Sequence, residues 1–276
     1  MKHLLMIFFG ILAVFASGAQ AADYTIEAIR YGTIPQFPVS GLVVGAAPSE
    51  RMDIALMFWL IRGNDRVILL DTGFHRQSWI DQYKVTNFVR PDEAVRLAGV
   101  EPRQVTDIIL THAHWDHMGG IDLFPDATIW IQKDEFAYYT GPAWQRGGQS
   151  GGIDPEDLVN LLRRNTQRKL RLIDGDDREI LPGIRVFTGA RHTYASQYVM
   201  VAGTVNYVLA SDNCYLYRNL ETGAPIPTFE VADRAANIKA LERMVALAGA
   251  PGRVIPGHDP LVFTRFPARG RIARVK

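Results

Sequence analysis

The sequence predicts an α/β fold in which two β-sheets lie between helical layers. Apolar runs of strand length come in pairs and alternate with single helical patterns in both halves of the chain, the arrangement that covers two sheets with helices. The runs 57–61 and 67–70 flank Arg62-Gly63-Asn64-Asp65-Arg66, a hairpin signature with Gly-Asn-Asp as its turn. The apolar run 105–110 ends in Thr111-His112-Ala113-His114-Trp115-Asp116-His117. A strand that ends in imidazoles and a carboxylate makes a poor core and a good metal site.

The elements follow in order. Residues 24–31 alternate apolar and polar positions and predict an opening strand. Residues 35–49, rich in proline, glycine and small side chains, predict a loop. Pro91, Asp92 and Glu93 open a short helix that Gly99 closes. Past the histidine cluster, 128–132 reads as a strand and 133–139 as a helix. Five glycines and a proline within 141–152 predict a mobile loop. A helical pattern resumes over 155–167, with Leu158, Leu161 and Leu162 on one side. Strands follow at 184–188, 198–201 and 205–210. A helix over 235–248 turns Ile238, Leu241 and Val245 toward the core, and 253–256 is the last strand. No internal repeat or low-complexity tract is visible.

Composition bounds the function. Hydrophobic residues make up 47% of the 276-residue chain and charged residues 21%, ordinary for an enzyme with a sizeable core. A net charge of +1 without a basic run gives no electrostatic case for a nucleic-acid partner. Met1-Lys2-His3, the apolar stretch 4–15 and Ala19-Gln20-Ala21 read as a signal peptide over 1–21, cleaved after Ala21. The apolar stretch is short for a membrane span, so residues 22–276 are expected as one periplasmic or secreted domain without stable membrane association. A homodimer stays open. Cys214 is the single cysteine, so no intramolecular disulfide forms.

The metal site draws on distant segments. Zinc binds imidazole and carboxylate at about 2.0–2.2 Å, and a catalytic site leaves a position open for water. His112 and His114, two apart on extended chain, point to one side and can chelate one ion. Asp116 and His117 come where the chain turns and can face a second. Gly119 and Gly120 let that turn pack closely. His192, Asp212 and His258 each follow a predicted strand, and strand-end loops at one edge of a sandwich are where site residues converge. Of the six histidines outside the signal segment, only His75 has no metal role in this scheme. His75 reads as a surface residue or a support for a ligand, and Cys214 is a weaker ligand candidate than its neighbour Asp212.

These residues resemble the metallo-β-lactamase superfamily. The likeness covers roughly residues 59–258 and rests on Leu70-Asp71-Thr72-Gly73, the H-x-H-x-D-H run, Arg191-His192-Thr193, Ser211-Asp212 and Pro256-Gly257-His258-Asp259. It implies an αββα sandwich, two mixed sheets flanked by helices, around two divalent metal ions, usually zinc. By that resemblance His112, His114 and His192 hold one ion, Asp116, His117 and His258 the other, and Asp212 bridges them. A hydroxide between the ions would be the nucleophile, and Asp71 would orient a ligand histidine.

Within the superfamily the likeness is nearest to N-acyl-homoserine lactonases. The bridging Asp212 separates the chain from β-lactamases, and Asp212-Asn213-Cys214-Tyr215 matches the lactonase D-x-x-Y arrangement. Asp116 and Tyr215 are the catalytic candidates, with Tyr215 bonding the lactone carbonyl or ring oxygen. One block departs: His192-Thr193-Tyr194-Ala195 stands where the family shows His-Thr-Pro-Gly. The change removes a rigid turn and is expected to set an aromatic ring near the metal mouth.

The expected activity is therefore hydrolysis of a small ester or lactone, favouring N-acyl-homoserine lactone in a quorum-quenching role. An organophosphate triesterase of the methyl parathion hydrolase type is the alternative, with Trp144 and Tyr138-Tyr139 as its roomy aromatic pocket. β-Lactamase activity comes third. A non-catalytic metal-binding or signalling domain would have no need of a full ligand set.

Overall fold

Strand patterning sets the layers of the sandwich. In the computed structural model, which describes residues 24–276, β1 (Thr25–Pro38) pairs antiparallel with β2 (Arg51–Gly63). Every side chain from Ile54 to Ile61 is buried. Ala55, Met57, Trp59 and Ile61 enter one core, whereas Ile54, Leu56, Phe58 and Leu60 enter another. That split is the two-residue side-chain period of a strand covered on both faces.

The expected hairpin forms between β2 and β3 (Arg66–Leu70). Asn64 and Asp65 make its turn at φ of 51° and 55°, the mirror-image turn that matches strand twist. Parallel neighbours β4 (Asp107–Ile109), β5 (Thr128–Gln132) and β6 (Leu170–Ile173) extend this sheet from β3. The second sheet holds β7 (Arg178–Leu181), β8 (Ile184–Thr188), β9 (Gln197–Val201), β10 (Tyr207–Ser211) and β11 (Val254–Pro256). The C-terminal β12 (Ala268–Arg269) and β13 (Ile272–Arg274) return to the first sheet beside β1. Both sheets mix parallel and antiparallel pairs.

Between the sheets lie Trp59, Ile68, Leu70, Ile109, Ile184 and Val199. The outer face of the first sheet is covered by α2 (Pro91–Leu97), α3 (Trp115–Met118), α4 (Lys133–Tyr139) and α5 (Pro155–Thr166). Ahead of α2, α1 (Gln77–Tyr83) buries no side chain fully and is held by Trp79, stacked 4.8 Å from Trp115. On the far side, α7 (Arg234–Ala248) follows β10 by way of α6 (Tyr217–Thr222), whereas α8 (Val262–Arg265) follows β11 and lies against β13. Ala240, Leu241 and Met244 of α7 pack on Phe187, Tyr198 and Val208. The architecture is the expected αββα sandwich.

Several local expectations differ from the structure. The loop over 35–49 is partly strand, since β1 continues to Pro38 with Phe37 opposite Met52. Pro35 and Pro38 fit because β13 pairs only with Glu27 to Ile29, which leaves that end of β1 with one neighbour. A register shift between Arg30 and Gly32 moves Ile34 into the same outer core as Ile29 and Tyr31. In α5, Leu158 and Leu161 are buried but Leu162 is 42% exposed. In α7, Leu241 is buried with Asn237, Ala240 and Met244, while Ile238 sits at the exposed edge. The strand expected over 205–210 starts at Tyr207. β6, β7, the β12–β13 pair, α1, α6 and α8 had no clear pattern in sequence because they are short or charged.

The expected signal peptide, residues 1–21, lies outside the described residues. Among the described residues, no helix is long and apolar enough to cross a membrane.

Candidate metal centre

Two pairs of parallel strands end together. β3 and β4 finish side by side, Leu70 opposite Ile109, and deliver Asp71 and Thr111-His112. β10 and β11 finish with Ser211 opposite Pro256, and deliver Asp212 and His258. The β8–β9 connection adds His192. All seven residues expected as ligands meet at this edge, in two groups: His112, His114, His192 and Asp212, then Asp116, His117 and His258.

The atoms point inward. Nδ1 of His114 lies 3.0 Å from Nε2 of His112 and 3.0 Å from Nε2 of His192. Asp212 faces both groups with different oxygens. Its Oδ2 lies 3.3 Å from His192 Nε2, and its Oδ1 lies 3.2 Å from His117 Nε2 and 3.0 Å from His258 Nε2. Asp116 Oδ2 lies 3.4 Å from His117 Nε2 and 3.7 Å from His258 Nε2. His117 Nε2 and Asp212 Oδ1 are buried without a hydrogen-bond partner. Converging imidazole nitrogens and orphaned buried acceptors fit divalent cations.

Other side chains aim the ligands from behind. Nδ1 of His117 bonds Asp71 Oδ2 at 2.8 Å, and Nδ1 of His258 bonds the Ala55 carbonyl at 2.9 Å. His112 Nδ1 meets the Thr111 hydroxyl at 2.9 Å, and that hydroxyl also reaches Asp71 and Ser211. These bonds set ring orientation and leave the opposite nitrogens for the centre. Thr111 and Ser211 directly precede the candidate ligands His112 and Asp212 in the chain, which was the available signal for them. Tyr31, donating to the Asp116 carbonyl at 2.8 Å, had none.

Burial and charge divide the histidines. Burial, reinforced by neighbouring imidazoles, drives His112 well below its ordinary value and His114 down to about 3. Burial opposes charge on His117 as well, but Asp212, Asp116 and Asp71 outweigh it and push that ring well above. His258 is raised in the same way, chiefly by Asp212. Burial works against ionised Asp212, yet His117 and His258 hold it well below the usual carboxylate range.

A cavity of about 290 Å³ opens onto Asp116, Asp212 and His258, with Ile34, Phe37, Leu42 and Ile54 along its side. No lysine or arginine lines it. The Tyr215 hydroxyl is 3.4 Å from the His192 ring, and its own ring is 5.7 Å from that of His258. Burial, then Asp212 and Asp116, raises Tyr215 well above its ordinary value, so its hydroxyl keeps its proton.

The segment 141–152, expected as a mobile loop, is anchored on the site. The Gly152 carbonyl accepts from Trp115 N–H at 2.9 Å. A Cβ on Gly152 would come within 2.8 Å of the His114 ring, at a φ of 74°, so only glycine suits both the space and the backbone.

Tyr194 does not line the cavity. It stacks on Tyr138 at 4.0 Å and 2°, with the Arg191 guanidinium 5.1 Å from its ring centre. Trp144 bonds the Tyr139 carbonyl and is 42% exposed. The aromatics expected for a triesterase pocket therefore lie outside this cavity. His75 pairs with Asp122 at 3.0 Å, and Cys214 is buried with its thiol toward the Leu216 carbonyl.

Residues 57–258 match the metallo-beta-lactamase superfamily. The chain belongs to that superfamily. It is a metal-dependent hydrolase. An N-acyl homoserine lactonase from a Bacillus species is 24% identical over 215 residues, 72% of this chain and 79% of the relative. A solved quorum-quenching N-acyl homoserine lactone lactonase shares the fold with a TM-score of 0.70 at 22% identity, over 86% of this chain and 92% of that one. The dizinc quorum-quenching lactonase AidC superposes with a TM-score of 0.66 at 18% identity, over 87% and 89%.

Proposed function

We propose that this superfamily member is an exported zinc-dependent lactonase that opens the ring of N-acyl-homoserine lactones. In this reading His112, His114, His192 and Asp212 would hold one ion, and Asp116, His117 and His258, with the other oxygen of Asp212, would hold a second. The observation that carries it is the Tyr215 hydroxyl beside the His192 ring and the two-faced carboxylate of Asp212, in a cavity with an apolar side and no lysine or arginine. The bound ions would supply Lewis acidity toward the carbonyl and lower the pKa of water.

The chain's own residues supply the rest. Tyr215, protonated at working pH, donates to the lactone carbonyl or to the departing ring oxygen. Asp116 lines the cavity beside Asp212 and His258. It is therefore placed to take the proton shed by attacking water. Ile34, Phe37, Leu42 and Ile54 cover an acyl chain and keep water from it. A neutral ligand suits these walls better than an anionic one, because no lysine or arginine lines them.

The lactonase names of the relatives support the substrate class, and the imidazole and carboxylate donor set suits zinc among other divalent ions (Mn, Fe or Co). Zinc-loaded protein should open homoserine lactones bearing short or long acyl chains, followed by proton release. No ring opening at any chain length ends the reading. Faster turnover of paraoxon or nitrocefin would replace it with triesterase or β-lactamase activity. Export is proposed from the apolar stretch 4–15 and Ala19-Gln20-Ala21, and the secreted protein should begin at Ala22 by mass.

A further inference from the structure

We infer that Glu135 is a positioning residue that fixes the His192 loop against the His112–His114 segment, and so sets the affinity of one half of the metal centre. The inference rests on the metal-binding reading proposed above.

Glu135 lies in the first turn of α4 and is fully buried. Its Oε1 accepts from the Ala113 N–H at 2.9 Å and from the Thr193 hydroxyl at 2.7 Å. Its Oε2 accepts from the Ala195 N–H at 2.6 Å. A carboxylate out of water is unfavourable unless donors meet it, and charge-assisted bonds of this length are strong and directional. Here the donors come from two segments far apart in sequence. Ala113 separates His112 from His114, and Thr193 and Ala195 follow His192.

The same loop is tied at its ends by the His192 N–H, which donates to the Ser196 hydroxyl at 3.1 Å, and by the Arg191 carbonyl, which accepts from the Phe229 N–H at 2.6 Å, but it lacks a rigid turn. Arg191, just before the ligand, holds a left-handed φ of 52°, and Tyr194-Ala195 stands where the resemblance shows a rigid Pro-Gly. Two side chains of one helix compensate. Glu135 pins the loop from within, and Tyr138 stacks on Tyr194 from outside. His117 and His258 are aimed by different groups, Asp71 and the Ala55 carbonyl. Loss of Glu135 should therefore loosen the three-histidine half and leave the other intact.

The probe is Zn²⁺ titrated against a competing chelator, with circular dichroism to follow the fold. Glu135→Gln keeps the shape but turns an amide NH₂ toward an N–H donor. We expect wild type to bind two Zn²⁺ and the variant to weaken one binding step by about 10–100-fold. In a His258→Ala background, which disables the other half, Glu135→Gln should still weaken the remaining step. In a His192→Ala background it should change nothing. Thr193→Val removes one of the three bonds with little change of shape and should shift the same step by less, which decides the matter if Glu135→Gln does not fold. Equal weakening of both steps, no weakening, or an effect in the His192→Ala background overturns the inference alone. A wild-type chain that binds no Zn²⁺ overturns the proposed function with it.

Discussion

The carboxylate of Asp71 lies 2.8 Å from Nδ1 of His117, and both side chains are buried. Asp71 stands just past β3 at a φ of 63°, a left-handed conformation that costs roughly 1–3 kcal/mol for a residue other than glycine. That strain aims the carboxylate at the imidazole and at Thr111 together. Asp71→Asn should weaken metal binding by about 10–100-fold, read by metal analysis and titration. Unchanged affinity would mean that the ring is held by packing alone.

Tyr215→Phe removes a hydroxyl without changing the ring that packs beside His258. If that hydroxyl stabilises the developing oxyanion or the leaving oxygen, kcat should fall by roughly 10²-fold with KM little changed. Steady-state kinetics on a homoserine lactone would show it. An equal kcat assigns Tyr215 to packing.

Chelation should remove activity and lower Tm together. An ion held at a free concentration 100 times its Kd stabilises the fold by about 2.7 kcal/mol, and His117 Nε2 and Asp212 Oδ1 are left buried without partners. Zn²⁺ should restore both readouts. Full activity after exhaustive dialysis against chelator would refute a metal role.

At Gly120 a Cβ would run into the backbone carbonyl of Thr72. Backbone cannot swing aside as a flexible side chain can, so Gly120→Ala should cost about 1–3 kcal/mol. Denaturant unfolding measures this, and a wild-type midpoint would contradict the packing.

Burial pushes the Asp157 carboxyl up to about 6, against the pull of the adjoining Arg76 guanidinium. An unfolded aspartate titrates near about 3.9. Between these values the folded chain keeps a proton that the unfolded chain has lost. The contribution of Asp157 to stability is thus full below about pH 4 and is lost as pH rises through about 6, by at most about 3 kcal/mol. Asp157→Asn does not titrate, so its Tm relative to wild type should rise from about pH 4 to about pH 7. A flat or falling difference across thermal melts would exclude this assignment.

The residues that converge at the strand ends were legible in the chain because metal chemistry needs particular side chains there. His112, His114, Asp116 and His117 are dense enough to stand out locally, and His192, Asp212 and His258 each follow an apolar run. The two layers were legible for a similar reason, since buried strands must be apolar. What no local pattern contained was the set of long-range partners. Glu135 looks like any acid near a helix start, Tyr31 like any core aromatic, and Tyr194 like a ring destined for the metal mouth. Only packing between distant segments turned Tyr194 onto Tyr138, placed the Gly152 backbone against His114, and gave Asp212 one oxygen for each half of the site. Side-chain type and period are properties of the sequence itself, whereas orientation depends on which distant donors and surfaces the fold brings within a few ångströms.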